Sequence, residues 1–203
     1  GLPEFVRTMA AETAADKGLE GWAFTLDAPS YSPFLKYSSV RDLRKQIWTA
    51  YNTRATSGEF DNTEIVKQIV DLRIKIANIL GYETYADYAL EERMAKNKET
   101  VDAFILELLE PSMPFAQKDV ADVLAYAKKN GFEDSKLQPW DFTYWSERYK
   151  EAEYSLSAEE LKPYFRLENC IDAVFSLANR LYGLEFKELD NVPVYHEEVK
   201  VYE

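Results

Sequence analysis

Residues 62–81, NTEIVKQIVDLRIKIANILG, decide the fold class. Ile65, Ile69, Leu72, Ile76 and Leu80 recur in steps of four, three, four and four. That spacing places side chains on one face of a helix. Asp61 followed by Glu64 reads as a capping pair, and Gly81 as the stop.

The same periodicity extends in both directions. Downstream, a short helix runs from Thr84 to about Arg93. A polar stretch, Met94 to Lys98, separates it from a long helix over about Glu99 to Asn130. Val101, Phe104, Ile105, Leu108 and Leu109 form the first apolar face of that helix. Pro111 and Pro114 are expected to kink or split it, and Gly131 ends it. Upstream, Pro3 sits well at a first helical position, with Phe5, Val6, Met9 and Ala10 on one face and Gly18 as the stop. Val40, Leu43, Ile47, Trp48 and Tyr51 mark another helix over Val40 to Ala55. Ser30 to Tyr37 is ambiguous because Pro33 interrupts it. Trp22 to Leu26 is β-prone and bounded by turn residues, so a short strand is expected there.

Past Pro139 an aromatic helix runs to about Tyr154, and Ser157 caps a short piece reaching Lys162. Asn169 to Tyr182 is amphipathic, with Cys170, Ile171, Val174, Phe175, Ala178 and Leu181 expected inward. Leu184 to Lys187 and Val199 to Tyr202 then alternate like strands. The expected fold class is mainly α: multi-helical, with a short N-terminal strand and two short strands at the C-terminus. Two such strands make a marginal hairpin. The second reaches Glu203, so a truncated chain is expected.

Composition narrows the function. In 203 residues, 24 Lys and Arg stand against 36 Asp and Glu, a net charge of −12. Such a surface is repelled by phosphate backbones and anionic lipid, which argues against nucleic acid or membrane as partner. No signal peptide is legible, and the apolar stretches fall short of the roughly 18–20 residues of a membrane span. The single cysteine excludes an internal disulfide and a CxxC zinc site, and the single histidine excludes a multi-histidine metal site within the chain.

Each candidate for chemistry has a plainer reading. His196-Glu197-Glu198-Val199-Lys200 imitates H-E-x-x-H, but Lys200 stands where the second ligand should be, and the pattern is β-like. His196 reads as a polar loop residue after Pro193, without a nucleophile pattern beside it. Cys170 occupies an apolar helix position and reads as core. Trp140, Phe142, Tyr144, Trp145, Tyr149 and Tyr154 could wall a groove for a peptide or sugar, or wedge a helix between layers. Glu91-Glu92 and Glu159-Glu160 are adjacent in sequence and diverge on a helix, so solvated faces explain them.

Several stretches, taken in order, resemble the thimet oligopeptidase and bacterial peptidyl-dipeptidase family of zinc metallopeptidases. They are Gly1-Leu2-Pro3-Glu4, Gly21-Trp22 through Tyr31, Arg41 to Arg54, Asn62 to Tyr88 and Met94-Ala95-Lys96. The most specific block is Trp140-Asp141, Tyr144, Arg148 and Tyr154, followed by Leu161 to Phe165. Val194-Tyr195-His196, with Val199 and Val201-Tyr202-Glu203, resembles the peptidyl-dipeptidase branch.

The resemblance implies a parent enzyme that hydrolyses short peptides with zinc held by H-E-x-x-H and a downstream glutamate. Those ligands and the catalytic groups lie outside this chain. No residue here is matched to a catalytic or metal position, and which residues bind substrate stays open. Residues 1–203 are therefore expected to be a pre-catalytic helical fragment, inactive alone, with a seam between two lobes near residues 94–98. The fragment would contribute helical walls of the substrate channel. It would self-associate through surface that the catalytic part normally covers. A cytoplasmic location is expected, with a bacterial periplasm as the alternative. The competing reading is a stand-alone helical protein–protein interaction module.

Overall fold

The computed structural model describes residues 1–155, 158–196 and 198–203, without the side chains of residues 158, 159 and 162. The expected cap at Ser157, residue Glu197 and the Glu159 carboxylate lie outside the described residues. The chain divides into two compact units, Gly1–Glu153 and Tyr154–Glu203. Among the described residues the fold is mainly α-helical with two short strands, and no helix is long and apolar enough to cross a membrane.

The first unit opens with α1 (Glu4–Asp16), α2 (Ala28–Tyr37) and α3 (Arg41–Asn52). Val6, Ala10 and Ala14, spaced one turn apart, form the buried stripe of α1. α1 packs on α2, and α2 on α3. The interrupted stretch around Pro33 resolves as helix. Pro29 lies in the first turn, and Pro33 forgoes only the bond its own N–H would make.

No strand forms at Trp22 to Leu26. The segment is irregular chain held to α1 and α2, with no neighbouring strand to pair with among the described residues. The Ala23 N–H donates to the Ala10 carbonyl of α1 at 2.9 Å, and the Thr25 N–H donates to the Ser30 hydroxyl at 3.0 Å. Phe24 sits edge-on to Phe34 of α2, with ring centroids 4.5 Å apart. Its β-prone residues serve helix packing instead of a ladder.

α4 (Thr63–Ile79), α5 (Tyr85–Leu90) and α6 (Lys98–Lys129) follow, with α4 packed on α5 and α5 on α6. The expected Asp61–Glu64 box is not made. Asp61 instead accepts the Thr63 N–H at 2.9 Å, a local turn that competes with the cap. The box is found at α5, where Thr84 and Asp87 exchange side-chain and backbone bonds.

α6 runs through Pro111 and Pro114 as one helix, so of the expected kink or split the split does not occur. Each proline deletes one N–H from a ladder of 32 residues, and the Ser112 hydroxyl donates to the Leu108 carbonyl at 2.6 Å. α4 and α6 end alike. Gly81 and Gly131 take φ values of 89° and 93°. The N–H groups of Tyr82 and Phe132 then reach back to the carbonyls of the buried Ala77 and Ala127 at 2.9 and 3.0 Å. This is the 6→1 closure that a left-handed residue permits.

α7 (Pro139–Tyr154) is the expected aromatic helix. Trp140 meets Trp48 of α3 at 5.3 Å, while Trp145 and Tyr149 meet Tyr126 of α6 at 6.4 and 5.5 Å. These three rings meet two helices, while Phe142 and Tyr154 stand exposed.

In the second unit, α8 (Ala158–Leu161) and a 3-10 turn precede α9 (Leu167–Tyr182). Strands β1 (Glu188–Leu189) and β2 (Val201–Tyr202) pair antiparallel, Glu188 opposite Tyr202 and Leu189 opposite Val201. The first strand lies beyond the expected Leu184 to Lys187. The Leu184 carbonyl accepts instead from the Asn179 amide at 3.0 Å, and Phe186 stacks on Phe175 of α9 at 4.2 Å. Tyr202 meets the same ring edge-on at 4.8 Å, which pins the hairpin to the helix.

On α4, α6 and α9, unlike α1, side chains of the apolar stripes that reveal the helices stand exposed. Ile65, Ile69, Leu72, Ile76 and Leu80 of α4 are all exposed, as are Val174 and Leu181 of α9 and Phe104, Ile105, Leu108 and Leu109 of α6. On α3, Val40 and Leu43 are exposed while Arg44 is 2% exposed.

Candidate functional site

The most organised polar cluster joins α3 to the start of α7. Arg41 and Arg44 are three residues apart, so both point from one face of α3. Asp141 is the third residue of α7, a position that favours a carboxylate for two reasons. Its Oδ2 accepts the Gln138 N–H at 3.2 Å, closing the helix start, and its charge faces the positive end of the helix.

Asp141 is fully buried, and both of its carboxylate oxygens accept hydrogen bonds. Arg41 donates to it bidentately, Nε to Oδ1 at 2.9 Å and Nη2 to Oδ2 at 2.7 Å. Arg44 Nη2 donates to Oδ1 at 3.1 Å, while its Nε and Nη1 donate to the carbonyls of Trp140 and Ser38 at 2.9 and 2.8 Å. Arg41 also pairs with Asp134 at 2.6 Å. The two arginines thus face two aspartates, which is what lets a charge be buried at all. Burial pulls the Arg44 guanidinium below the ordinary arginine value, and Asp141 opposes it. Hydrogen bonding to Asp141 holds Arg41 above that value.

Two further contacts complete the arrangement. The Tyr144 ring lies between the guanidinium groups of Arg44 and Arg148, at 4.1 and 4.6 Å from its centroid. One turn on, the buried Glu147 carboxylate takes Lys36 of α2 at 3.3 Å and Lys150 at 3.2 Å. Burial alone would raise its pKa, but the hydrogen bonds and charges of Lys150 and Lys36 outweigh it and hold the carboxyl below its usual range. A cleft of about 400 Å³ opens beside the knot, between Arg41, Phe132, Asp134 and Trp145. The Asp141 carboxylate lone pairs are spent on four donors. The cluster is a clamp between elements.

Of the residues singled out in the sequence, Trp140 and Tyr144 of the aromatic helix take part in the cluster. His196 is exposed, its Nδ1 accepting the Glu198 N–H at 3.3 Å. Lys200, in the second-ligand position, pairs with Glu188 at 3.0 Å. Cys170 is half-buried on α9. Glu91 accepts from the Tyr82 hydroxyl. Among the described residues no three His, Cys, Asp or Glu side chains form a group able to hold a metal.

Arg41, Arg44, Asp141 and Glu147 were not singled out for chemistry. Their signal was weak but present: a charged residue at the core-facing register of an amphipathic helix, and an aspartate at the third position after Pro139.

A helical scaffold clamped by a buried ion pair is the class this geometry defines. Comparison with known proteins gives the lineage. Residues 34–203 match the model of peptidase family M3. The chain is 38% identical over 208 residues to oligopeptidase A of Escherichia coli and 39% identical over 211 residues to a probable cytosolic oligopeptidase A of Arabidopsis thaliana. It is 32% identical over 208 residues to a dipeptidyl carboxypeptidase of Escherichia coli. All of this chain is covered in each case, and it spans 30% of the length of each relative. The chain belongs to peptidase family M3, the thimet oligopeptidase and peptidyl-dipeptidase family of zinc metallopeptidases.

Proposed function

We propose that this chain is the pre-catalytic section of a zinc-dependent peptidase that hydrolyses short peptides, and that it supplies helical walls of the substrate channel. The observation that carries the reading is the family match over 34–203 to relatives named oligopeptidase and dipeptidyl carboxypeptidase. The zinc ion and the groups that act with it belong to the rest of the parent enzyme; one histidine in the sequence supports that reading, because a multi-histidine zinc site needs more. The chain alone is inactive.

The clamp suits a wall. A channel that admits peptides has to keep its sides in place, and the Arg41–Asp141–Arg44 knot fixes α7 to α3 with charge-assisted bonds. The turn at 94–98, where Lys96 takes a φ of 66°, is the crossing between two lobes of the parent. The exposed apolar faces are covered there by the remaining polypeptide, and the isolated chain self-associates through them. The parent works in the cytoplasm, as the name of the Arabidopsis relative says of that protein.

The test is a chimera in which this chain replaces the matching 208-residue stretch of Escherichia coli oligopeptidase A. Hydrolysis of short peptides that a chelator abolishes and zinc restores is the expected result. A folded chimera that cleaves nothing would overturn the reading.

A further inference from the structure

α4 is apolar around more than half of its circumference. At about 100° per residue, Ile65, Ile69, Leu72, Ile76 and Leu80 form one stripe, and Val66, Val70 and Ile74 a second about 120° away. All eight side chains are between 42% and 56% exposed, and within α4 only Ala77 is buried. Arg73 is the one charge in this arc, and it is drawn aside over the Tyr85 ring of α5 at 5.3 Å. The remaining strip is polar and solvated: Glu64, Lys67, Gln68, Asp71, Lys75 and Asn78.

A helix at the surface of a protein carries one apolar stripe, and a helix apolar on most sides is an interior one. We infer that α4 is an interior helix of the parent enzyme, clasped by two separate apolar elements of the remaining family M3 polypeptide. One lies on the Ile65–Leu80 stripe and the other on the Val66–Ile74 stripe, and only the strip through Lys67 and Asp71 is left to water. The inference rests on the reading that this chain is part of a larger peptidase. It adds which helix is enclosed, and from which two sides.

Other occupants fit less well. A second copy, which meets these faces in the concentrated isolated chain, brings another −12 charge against the first and so makes the weaker cover. α4 is too short and too charged on one side to enter a bilayer. The relatives, of which this chain spans 30%, supply the polypeptide that would do the covering.

The experiment places single cysteines at Ile69→Cys, Ile74→Cys and Lys67→Cys, in a Cys170→Ser background. Maleimide labelling rates are read in the 203-residue chain and in the oligopeptidase A chimera, both otherwise free of cysteine. In the dilute free chain all three positions react at similar rates. In the chimera, positions 69 and 74 slow by about 100-fold or more while position 67 is unchanged, as enclosure by stable packing requires. Reaction at 69 or 74 as fast as at 67 in the chimera overturns the inference. Protection that disappears when the chimera is diluted assigns the face to a second copy and overturns it as well.

Peptide hydrolysis is scored separately on the same sample. Protection without hydrolysis counts against the peptidase reading alone, and hydrolysis with an exposed stripe counts against this inference alone.

Discussion

Arg44 and Asp141 lie 97 positions apart in sequence and meet with Nη2 3.1 Å from Oδ1, both side chains almost wholly withdrawn from water. The pair fixes α7 to α3, and the Arg44 guanidinium also rests on the Tyr144 ring of α7. Its energetics are asymmetric: the intact pair contributes little beyond what apolar residues would, but a broken one is costly. Asp141→Ala strands the buried Arg44 guanidinium, and a loss of about 3–5 kcal/mol is expected. Urea denaturation of the 203-residue chain measures it. A loss under about 1 kcal/mol, the range of surface pairs, would mean that the clamp does not hold.

Arg44→Lys keeps the charge and loses the fork. The carbonyls of Trp140 and Ser38 then lack the Nε and Nη1 donors they have at 2.9 and 2.8 Å. The expected cost is about 1–3 kcal/mol, the penalty of unpaired buried acceptors. A lysine variant as stable as the parent chain in the same denaturation assay would show that charge alone suffices.

Glu147 gives the fold a dependence on acid. Its folded pKa lies below the unfolded value because Lys150 and Lys36 outweigh burial. A depressed carboxyl contributes stability that is fully present above its unfolded pKa and is lost as pH falls through the folded one. Stability therefore declines on acidification below the ordinary carboxylate range. Glu147→Gln should flatten that decline while lowering stability at neutral pH, as melting curves across pH would show. An unchanged slope would remove Glu147 from the account.

The glycine that ends α6 offers a test of backbone alone. Gly131 holds φ at 93°, and a Cβ there would meet nothing within 4 Å. Gly131→Ala should then cost about 1–2 kcal/mol through strain and nothing through crowding. A neutral substitution would show that the turn relaxes freely.

How much of this was legible depends on what each residue was signalling. The helices around Ile65, Trp140 and Phe175 declared themselves because their period is local. Gly81 and Gly131 marked their ends because only a residue free of Cβ takes that turn readily. Which face is buried was legible on α1, where Val6 and Ala10 are buried, but not on α3 or α4. The Ile65 stripe is exposed while Arg44 is buried, since burial depends on partners far along the chain. Trp22 to Leu26 carried a true β signal and no strand to pair with. The clamp was hidden because its two halves, Arg41-Arg44 and Asp141, are each unremarkable as local sequence. Their meaning comes from a contact about a hundred positions away.

The central claim is that this chain frames a reaction whose groups lie elsewhere. The most direct test is to measure zinc content and peptide hydrolysis of the purified 203-residue chain after dialysis against zinc. The account predicts no stoichiometric zinc and no cleavage of short peptides. One tightly held zinc ion per chain, together with hydrolysis that a chelator abolishes, would contradict it.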